Sequence, residues 1–273
     1  MAKSIKEYIE EINEGVKALF TSDSWKNYLT FLSRFHSYSV NNTIAIYMQR
    51  PDASLVASFT DWQRNGRYVM KGERGIRIIA PHTYKAVNHE TGEEEQRLGF
   101  HLTHCFDVSQ TDGKDLPESP CRELTDDVED YVSLRDTLCQ ISPVPVRYGE
   151  IAGDANGYYS HRDLEIVVRD SLRESQKIKT TIHEIAHAWL HAKGADEEKA
   201  DRYTREVQAE SVAYTVCQYL GIDSSDYSFG YIAGWSKTQE LDELKKSIDA
   251  ITKTSNRIIS DIEDVMQKGA EAA

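Results

Sequence analysis

The sequence has little of what marks specialised protein classes. It holds four cysteines in 273 residues (Cys105, Cys121, Cys139 and Cys217), and no two of them form a C-x-x-C pair. That spacing argues against a cysteine-built zinc site and a disulfide scaffold, and it fits free thiols in a reducing cytoplasm. No apolar run approaches the roughly 18 residues of a membrane span. The first 20 residues carry seven charges, so neither a membrane span nor a secretory signal is expected. There is no internal repeat. With 40% hydrophobic and 28% charged residues, the composition is that of a folded chain, not a disordered one.

Positive charge is also scarce overall, with 32 Lys/Arg against 45 Asp/Glu and a net charge of −13. Taken whole, that balance opposes a nucleic-acid partner. The distribution reverses the reading for one half. Residues 1–85 carry 12 Lys/Arg against 8 Asp/Glu, whereas residues 86–273 carry 20 against 37. Two units with different partners are expected.

Apolar spacing predicts an amphipathic helix over 4–20, a second over 24–35 and a third over 41–49 that is stopped by Pro51. Alternation around Gly72 and Gly75 predicts two short strands within 67–81. A charged hairpin tip is expected at 88–95 and a return strand at 100–108. Residues 109–120 are polar, rich in turn formers and carry two prolines, which makes them the best linker in the chain. Beyond it the pattern predicts a helix at 125–140, a strand at 144–148, a turn and strand at 157–168, and helices at 175–193 and 198–220. A long helix over 238–267 is expected to pack on one of the domains, with a coiled-coil arm as the weaker alternative.

The chemistry lies in Thr181-Ile-His183-Glu184-Ile-Ala-His187. His183 and His187 stand one helical turn apart on one face, so both imidazoles reach one metal ion. Glu184 is displaced by about 100°, where a carboxylate takes a proton from a water on the metal. Ile178, Ile182, Ile185 and Trp189 form the stripe that buries this helix. The next helix supplies Glu206 and Glu210, four apart, as candidates for the third ligand. His191 lies one turn beyond His187, too far to share an ion comfortably with His183, and reads as a helix-terminal or ligand-supporting histidine.

Residues 175–222 resemble the zinc metallopeptidases of the ImmA/IrrE type, in which H-E-x-x-H is followed on the next helix by a Glu in an E-x-x-A setting, here Glu206-Val-Gln-Ala209. The resemblance implies Zn2+ held by His183, His187 and Glu206, with Glu184 as catalytic base and Glu210 orienting a ligand histidine. It also implies that the strand 163–168 lines the cleft as an edge for an extended peptide. Tyr158 then either donates a hydrogen bond to the oxyanion or is a packed aromatic at the turn.

In the basic half, Arg50, Arg64, Arg67, Lys71, Arg74, Arg77 and Lys85 are interleaved with Phe59, Trp62, Tyr68 and Tyr84. Cations that follow phosphates, with rings that stack on bases, are what a sequence-tolerant single-strand binder needs; surface cations around an aromatic core give the same pattern. The series Phe35-His-Ser-Tyr38-Ser-Val-Asn41-Asn, Gln49-Arg-Pro51, Phe59-Thr-Asp-Trp62-Gln, Gly66-Arg67, Lys71-Gly72-Glu-Arg-Gly75 and Ala80-Pro81 resembles the N-terminal domain of the ArdC antirestriction proteins. That family joins a single-stranded-DNA-binding domain to a zincin-like domain and is associated with mobile elements. The acidic tip at Glu93–Glu95 departs from the pattern.

These readings combine into an α+β protein of two domains. An ArdC-like single-stranded-DNA-binding domain covers 1–108, a linker 109–123, a zincin-like metallopeptidase domain with the HExxH helix 124–236, and a C-terminal helix and tail 237–273. The expected DNA contacts are Tyr38, Asn41, Trp62, Arg64, Arg67, Lys71, Arg74 and Arg77, with Tyr38 and Asn41 equally explained by capping and packing. The expected function is cytoplasmic antirestriction or DNA protection, with hydrolysis of a protein or peptide substrate by zinc-activated water. The alternatives are a non-proteolytic DNA-binding factor with a structural zincin domain and a regulatory peptidase that cuts a repressor.

Overall fold

The computed structural model describes residues 4–35, 37–87, 93–116, 128–222, 227 and 229–272. The elements run α1 (Ile5–Leu19), α2 (Ser22–Arg34), α3 (Val40–Gln49), β1 (Val56–Ser58), α4 (Phe59–Arg64), β2 (Arg67–Val69), β3 (Ile76–Val87), β4 (Glu94–Asp107), β5 (Thr111–Gly113), α5 (Val128–Ile141), β6 (Val146–Gly149), β7 (Gly157–Ser160), β8 (Glu165–Arg169), α6 (Glu174–Leu190), α7 (Arg202–Tyr219), α8 (Ile232–Ser236) and α9 (Leu241–Ala272). This is an α+β chain in two compact units. One comprises Met1–Ala18 and Tyr38–Pro117, the other Leu19–Ser37 and Glu118–Ala273.

In the first unit, α1 buries Tyr8, Ile12 and Val16, which recur every four residues along one stripe. The antiparallel sheet has the order β1–β4–β3. One margin of β3 pairs with β4; the other is served by side chains of α3. Asn42 donates to the Ile79 carbonyl and accepts from its N–H, at 2.8 and 2.9 Å, and Gln49 does the same for Arg77 at 2.9 Å each way. Two amide side chains thus take the place of a further strand and satisfy an edge that would otherwise be open. The outer half of the β3–β4 ribbon has solvent on both faces, which is why its hydrophobic pattern is weak and the sequence predicts shorter strands. Residues 88–92 of the expected hairpin tip lie outside the described residues.

The linker expected at 109–123 starts too early. Residues 108–110 form a short 3-10 turn closed by a capping box on Asp107, and β5 pairs antiparallel with β2. Arg67 holds that pairing, donating from Nε to Thr111 Oγ1 at 2.8 Å and from Nη2 to the Thr111 carbonyl at 3.0 Å. Turn-forming residues here make a folded ribbon end, because Asp107 and Arg67 supply the partners that a free linker lacks. Residues 117–127 lie outside the description, as does the predicted helix start at 125–127.

The second unit corrects the domain boundary. Helix α2, expected in the N-terminal domain, packs on α7 instead. Trp25, Tyr28, Leu29 and Leu32 have no exposed surface, and four such side chains need an apolar partner that sequence proximity does not supply. The three-stranded sheet has the order β6–β8–β7, with β6 parallel and β7 antiparallel to β8. The strand expected to be an edge, now β8, is therefore central. Its Ile166, Val167 and Val168 are fully buried, as a continuous apolar run requires, and β7 takes the edge beside α6. Helix α9 packs on α5, α6 and α7 through Leu244, Ile248, Ile251, Ile258 and Ile262. Each buried isoleucine contributes about 2 kcal/mol, which accounts for packing on this unit in place of a free arm. Among the described residues no helix is long and apolar enough to cross a membrane.

Candidate metal centre and nucleic-acid surface

Helix α6 is fixed from behind by Ile178, Ile182, Ile185 and Ala186, all fully buried, so His183 and His187 emerge on the opposite side. Helix α7 begins four residues before Glu206 because Asp201 caps it, its side chain accepting from the N–H groups of Tyr203 and Thr204 at 2.8 and 3.1 Å. The cap is why α7 starts at 202 and not at the expected 198. Glu206 then faces the two imidazoles. His183 Nε2 and His187 Nε2 are 3.0 Å apart, and Glu206 Oε2 lies 3.6 and 3.9 Å from them. One donor atom from each of His183, His187 and Glu206 falls within 4.8 Å of the others. Glu210 reaches the other nitrogen of His183, at 3.4 Å from Nδ1.

These donors fit a metal ion. Two nitrogens about 2.05 Å from a tetrahedral zinc stand about 3.3 Å apart, close to the separation found. In the metal-free arrangement, burial alone would push the His183 imidazole down. Hydrogen bonding to Glu206 and Glu210 more than offsets burial, and its pKa rises. His187 is pushed down by burial and by the cation beside it. His183 lowers the pKa of Glu206, while burial raises that of Glu184.

Glu184 is buried and accepts a hydrogen bond from the Tyr159 N–H of β7. It lines two cavities. One, of about 700 Å³, is shared with Tyr158, Tyr159, His161, His183, His187, Arg202 and Glu206. The other, of about 320 Å³, is shared with Asn156, Gln176, Lys179, Thr180, His183 and Glu210. Gly157 borders both, and a Cβ there would lie 2.5 Å from Thr180 Cγ2, so only glycine lets β7 run this close to α6. His161 and Arg202 are site-lining residues that motif reading passes over. Arg202 is detectable in principle, being one turn before Glu206 on the same helix face; His161 carries no such signal.

The residues expected on the first unit's DNA surface separate into two groups. Trp62 is a core residue, 1% exposed, with its indole N–H donated to the Phe106 carbonyl at 2.8 Å, so it has no face for a base. The Arg67 guanidinium is committed to the β2–β5 pairing, and Tyr38 donates to the Val56 carbonyl at 2.9 Å. Arg77 stacks over the Tyr8 ring at 5.6 Å. Arg64 is exposed and pairs with Asp61 at 3.0 Å, and Asn41, Lys71 and Arg74 are exposed. The rings that do face solvent include Phe59, Tyr68, Tyr84 and Phe100.

The β3–β4 register brings a further group together: Ala80 opposes His101, His82 opposes Gly99, and Tyr84 opposes Arg97 on one face. The His82 ring centroid lies 5.8 Å from that of Tyr84 and 5.2 Å from that of His101. A Cβ at Gly99 would be 2.8 Å from His82 Cε1, so glycine makes the space the ring occupies. Period-two spacing of His82 with Tyr84, and of Arg97 with His101, is the signal that places them together.

The geometry defines an α+β chain whose second unit has a zincin-like H-E-x-x-H helix. Residues 1–106 match the family described as the N-terminal domain of anti-restriction factor ArdC, and residues 142–217 match the IrrE N-terminal-like domain of the M78 peptidases. The chain is thus similar to the ArdC N-terminal domain over 1–106 and to the IrrE N-terminal-like domain over 142–217. It is 28% identical to the uncharacterized protein pXO2-81 of Bacillus anthracis over 96% of its own length and 52% of that relative's, so it spans about half of the curated relative it matches. The fold is shared with the metal-free antirestriction ArdC protein from plasmid R388, with a TM-score of 0.54 and 18% identity over 83% of this chain and 86% of that one. The Mn(II)-bound structure of the same protein gives 0.52 and 17% over 82% and 85%.

Proposed function

We propose that the chain is a single-stranded-DNA-binding metallopeptidase of a mobile genetic element, serving antirestriction or DNA protection in the cytoplasm. The observation that carries the enzymatic reading is the convergence of His183, His187 and Glu206 beside buried Glu184, with the β7 edge running past them. His183, His187 and Glu206 hold the ion, and zinc suits two imidazoles and a carboxylate with an open position. Bound zinc supplies Lewis acidity toward the substrate carbonyl and acidifies water. Glu184 takes one proton from the attacking water and passes it to the departing amine nitrogen as the peptide C–N bond breaks, leaving a carboxylic acid and an amine; the acid's proton then passes to the amine, giving a carboxylate and an ammonium group. Tyr158, 41% exposed on β7, donates to the oxyanion, and the backbone of β7 pairs with the extended substrate. Glu210 orients His183.

On the first unit, Lys71, Arg74 and Arg64 neutralise phosphates, while Tyr84, His82 and His101 offer stacking faces with Arg97 beside them. This replaces Trp62 and Arg67 as the expected contacts. The fold likeness to ArdC and the match over 1–106 support it.

The test incubates the zinc-loaded full chain with an unbiased peptide mixture, with and without single-stranded DNA, and reads cleavage by mass spectrometry. Cleavage that is lost with a chelator and reduced about 100-fold or more in Glu184→Gln is expected. Zinc binding without Glu184-dependent cleavage would leave the non-proteolytic DNA-binding factor. Cleavage directed at one repressor, with no affinity for DNA, would make it the regulatory peptidase.

A further inference from the structure

The two candidate ligand histidines are supported differently. His183 turns its second ring nitrogen directly to the Glu210 carboxylate. His187 turns its own toward another imidazole, with Nδ1 2.9 Å from His191 Nδ1. From there a line of contacts runs inward. His191 Nε2 lies 2.9 Å from Gln208 Oε1, Gln208 Nε2 lies 2.9 Å from Glu197 Oε2, and Lys246 Nζ lies 2.9 Å from Glu197 Oε1. His191, Gln208 and Glu197 are 1%, 0% and 4% exposed, so water does not compete for these contacts.

With His187 and His191 both neutral, hydrogen-bond direction along this line has one consistent solution. Glu197 is a carboxylate held by Lys246, so it accepts, and Gln208 must present its NH2 group to it. Ser247 Oγ, 3.2 Å from the same Gln208 nitrogen, can donate or accept and so does not decide the orientation. With its NH2 toward Glu197, Gln208 presents its oxygen to His191, which must then carry its proton on Nε2. A neutral His191 has its lone pair on Nδ1, so His187 must donate from Nδ1. The remaining lone pair of His187, on Nε2, is aimed at His183 and Glu206.

We propose that Glu197, through Gln208 and His191, fixes the tautomer of His187 and holds its Nε2 lone pair ready for a metal ion. Glu197 lies in the connection between α6 and α7, and its ion-pair partner Lys246 comes from α9. The C-terminal helix is thereby part of the support of the centre. His191, Gln208 and Glu197 are positioning residues, and the inference rests on the metal-centre reading of His187.

Histidine-selective 15N labelling of the full chain, followed by long-range proton–nitrogen correlation with and without zinc, tests this without any substrate. In the metal-free wild type, His187 is expected as the Nδ1–H form and His191 as the Nε2–H form. Glu197→Ala is expected to give His187 a mixture of forms and to weaken zinc binding, measured by chelator competition, by about tenfold or more. Ser247→Ala, which removes only the undecided partner, is expected to keep both tautomers and to hold zinc affinity within about threefold. An Nε2–H His187 in the metal-free wild type overturns the inference, and so does a Glu197→Ala chain that keeps both tautomers and its zinc affinity. Equal loss in the two variants overturns it as well, by assigning the effect to packing. A wild type that shows the expected tautomers but binds no zinc would sink the metallopeptidase reading and leave the tautomer lock standing.

Discussion

Trp25 and Ser211 are both fully buried, and the indole N–H of Trp25 donates to the Ser211 hydroxyl at 3.0 Å across 186 residues of sequence. The bond fastens α2 to the middle of α7, at the residue that follows Glu210 and five residues after Glu206. Nearby, Thr30 and Tyr214 share a second hydroxyl bond of 2.8 Å between the same helices. A helix from the N-terminal part of the chain therefore stabilises the scaffold of the candidate metal centre.

Trp25→Ala is accordingly expected to destabilise the second unit by about 3–5 kcal/mol, the range for removing a large buried aromatic. Urea unfolding followed by far-UV circular dichroism measures this. A loss below about 1 kcal/mol would mean that α2 contributes little to α7.

The same relationship bears on fragments. A piece ending near residue 112 keeps α2 but lacks α7, and so exposes Trp25, Tyr28, Leu29 and Leu32. Such a fragment is expected to self-associate in light scattering, whereas the full chain does not expose this face. A monodisperse fragment with a native-like melt would show that α2 finds another partner.

Asp107 is expected to contribute to the acid sensitivity of the first unit. It is 1% exposed, and its carboxylate accepts from the N–H groups of Ser54, Leu55 and Ser109 and from the Ser109 hydroxyl. Burial alone would raise its pKa, but these bonds outweigh burial and hold it below the ordinary carboxylate value. A depressed folded-state pKa stabilises the fold above the unfolded value, near 4, and the contribution is lost as pH falls through the folded value. Asp107→Asn is expected to cost about 2 kcal/mol at neutral pH and to flatten the acid limb of the stability curve below about pH 4. Unchanged acid dependence in that variant would remove Asp107 as the cause.

What was legible in the sequence follows from how local each feature is. H-E-x-x-H is written within one helical turn and a half, so His183, Glu184 and His187 are visible without tertiary knowledge. Glu206 stands one short connection away. The edge position of β7 depends on strand order, which alternation does not encode; the resemblance implies an edge at 163–168, whereas β8 is central and β7 is the edge. Trp62 and Arg67 misled because an aromatic or cation within a basic stretch reads alike whether it faces solvent or a backbone carbonyl. The relay from His191 to Glu197 was invisible, since Gln208 and Glu197 carry no motif. Only the packing of α6 and α7 brings them together.

Glu206 and Glu210 differ in which nitrogen of His183 they face, and this sets an order of effects. Glu206→Ala removes one of the three converging donors, while Glu210→Ala leaves all three and frees only His183 Nδ1. Zinc affinity is expected to fall by about 10–100-fold in Glu210→Ala and by more in Glu206→Ala. Isothermal titration of both variants checks this, and the reverse order would exchange their roles.

The division of the basic residues makes a prediction in which stability and binding separate. Lys71 and Arg74 are exposed, whereas Arg67 is spent on Thr111. Replacing Lys71 and Arg74 together by Ala should lower the slope of log affinity against log salt for single-stranded DNA by about 1.4, since each neutralised phosphate contributes about 0.7. Thermal stability should stay within about 0.5 kcal/mol of wild type, because neither side chain is buried. Arg67→Ala should do the opposite, costing about 1–3 kcal/mol through unpaired acceptors in the β2–β5 ribbon and leaving the salt slope of the folded fraction intact. Tyr84→Ala should weaken binding by about tenfold at every salt concentration, as loss of one stacked base requires. If Arg67→Ala moved the slope and the Lys71/Arg74 pair did not, the DNA would follow the β2–β5 ribbon and not the turn at 70–75.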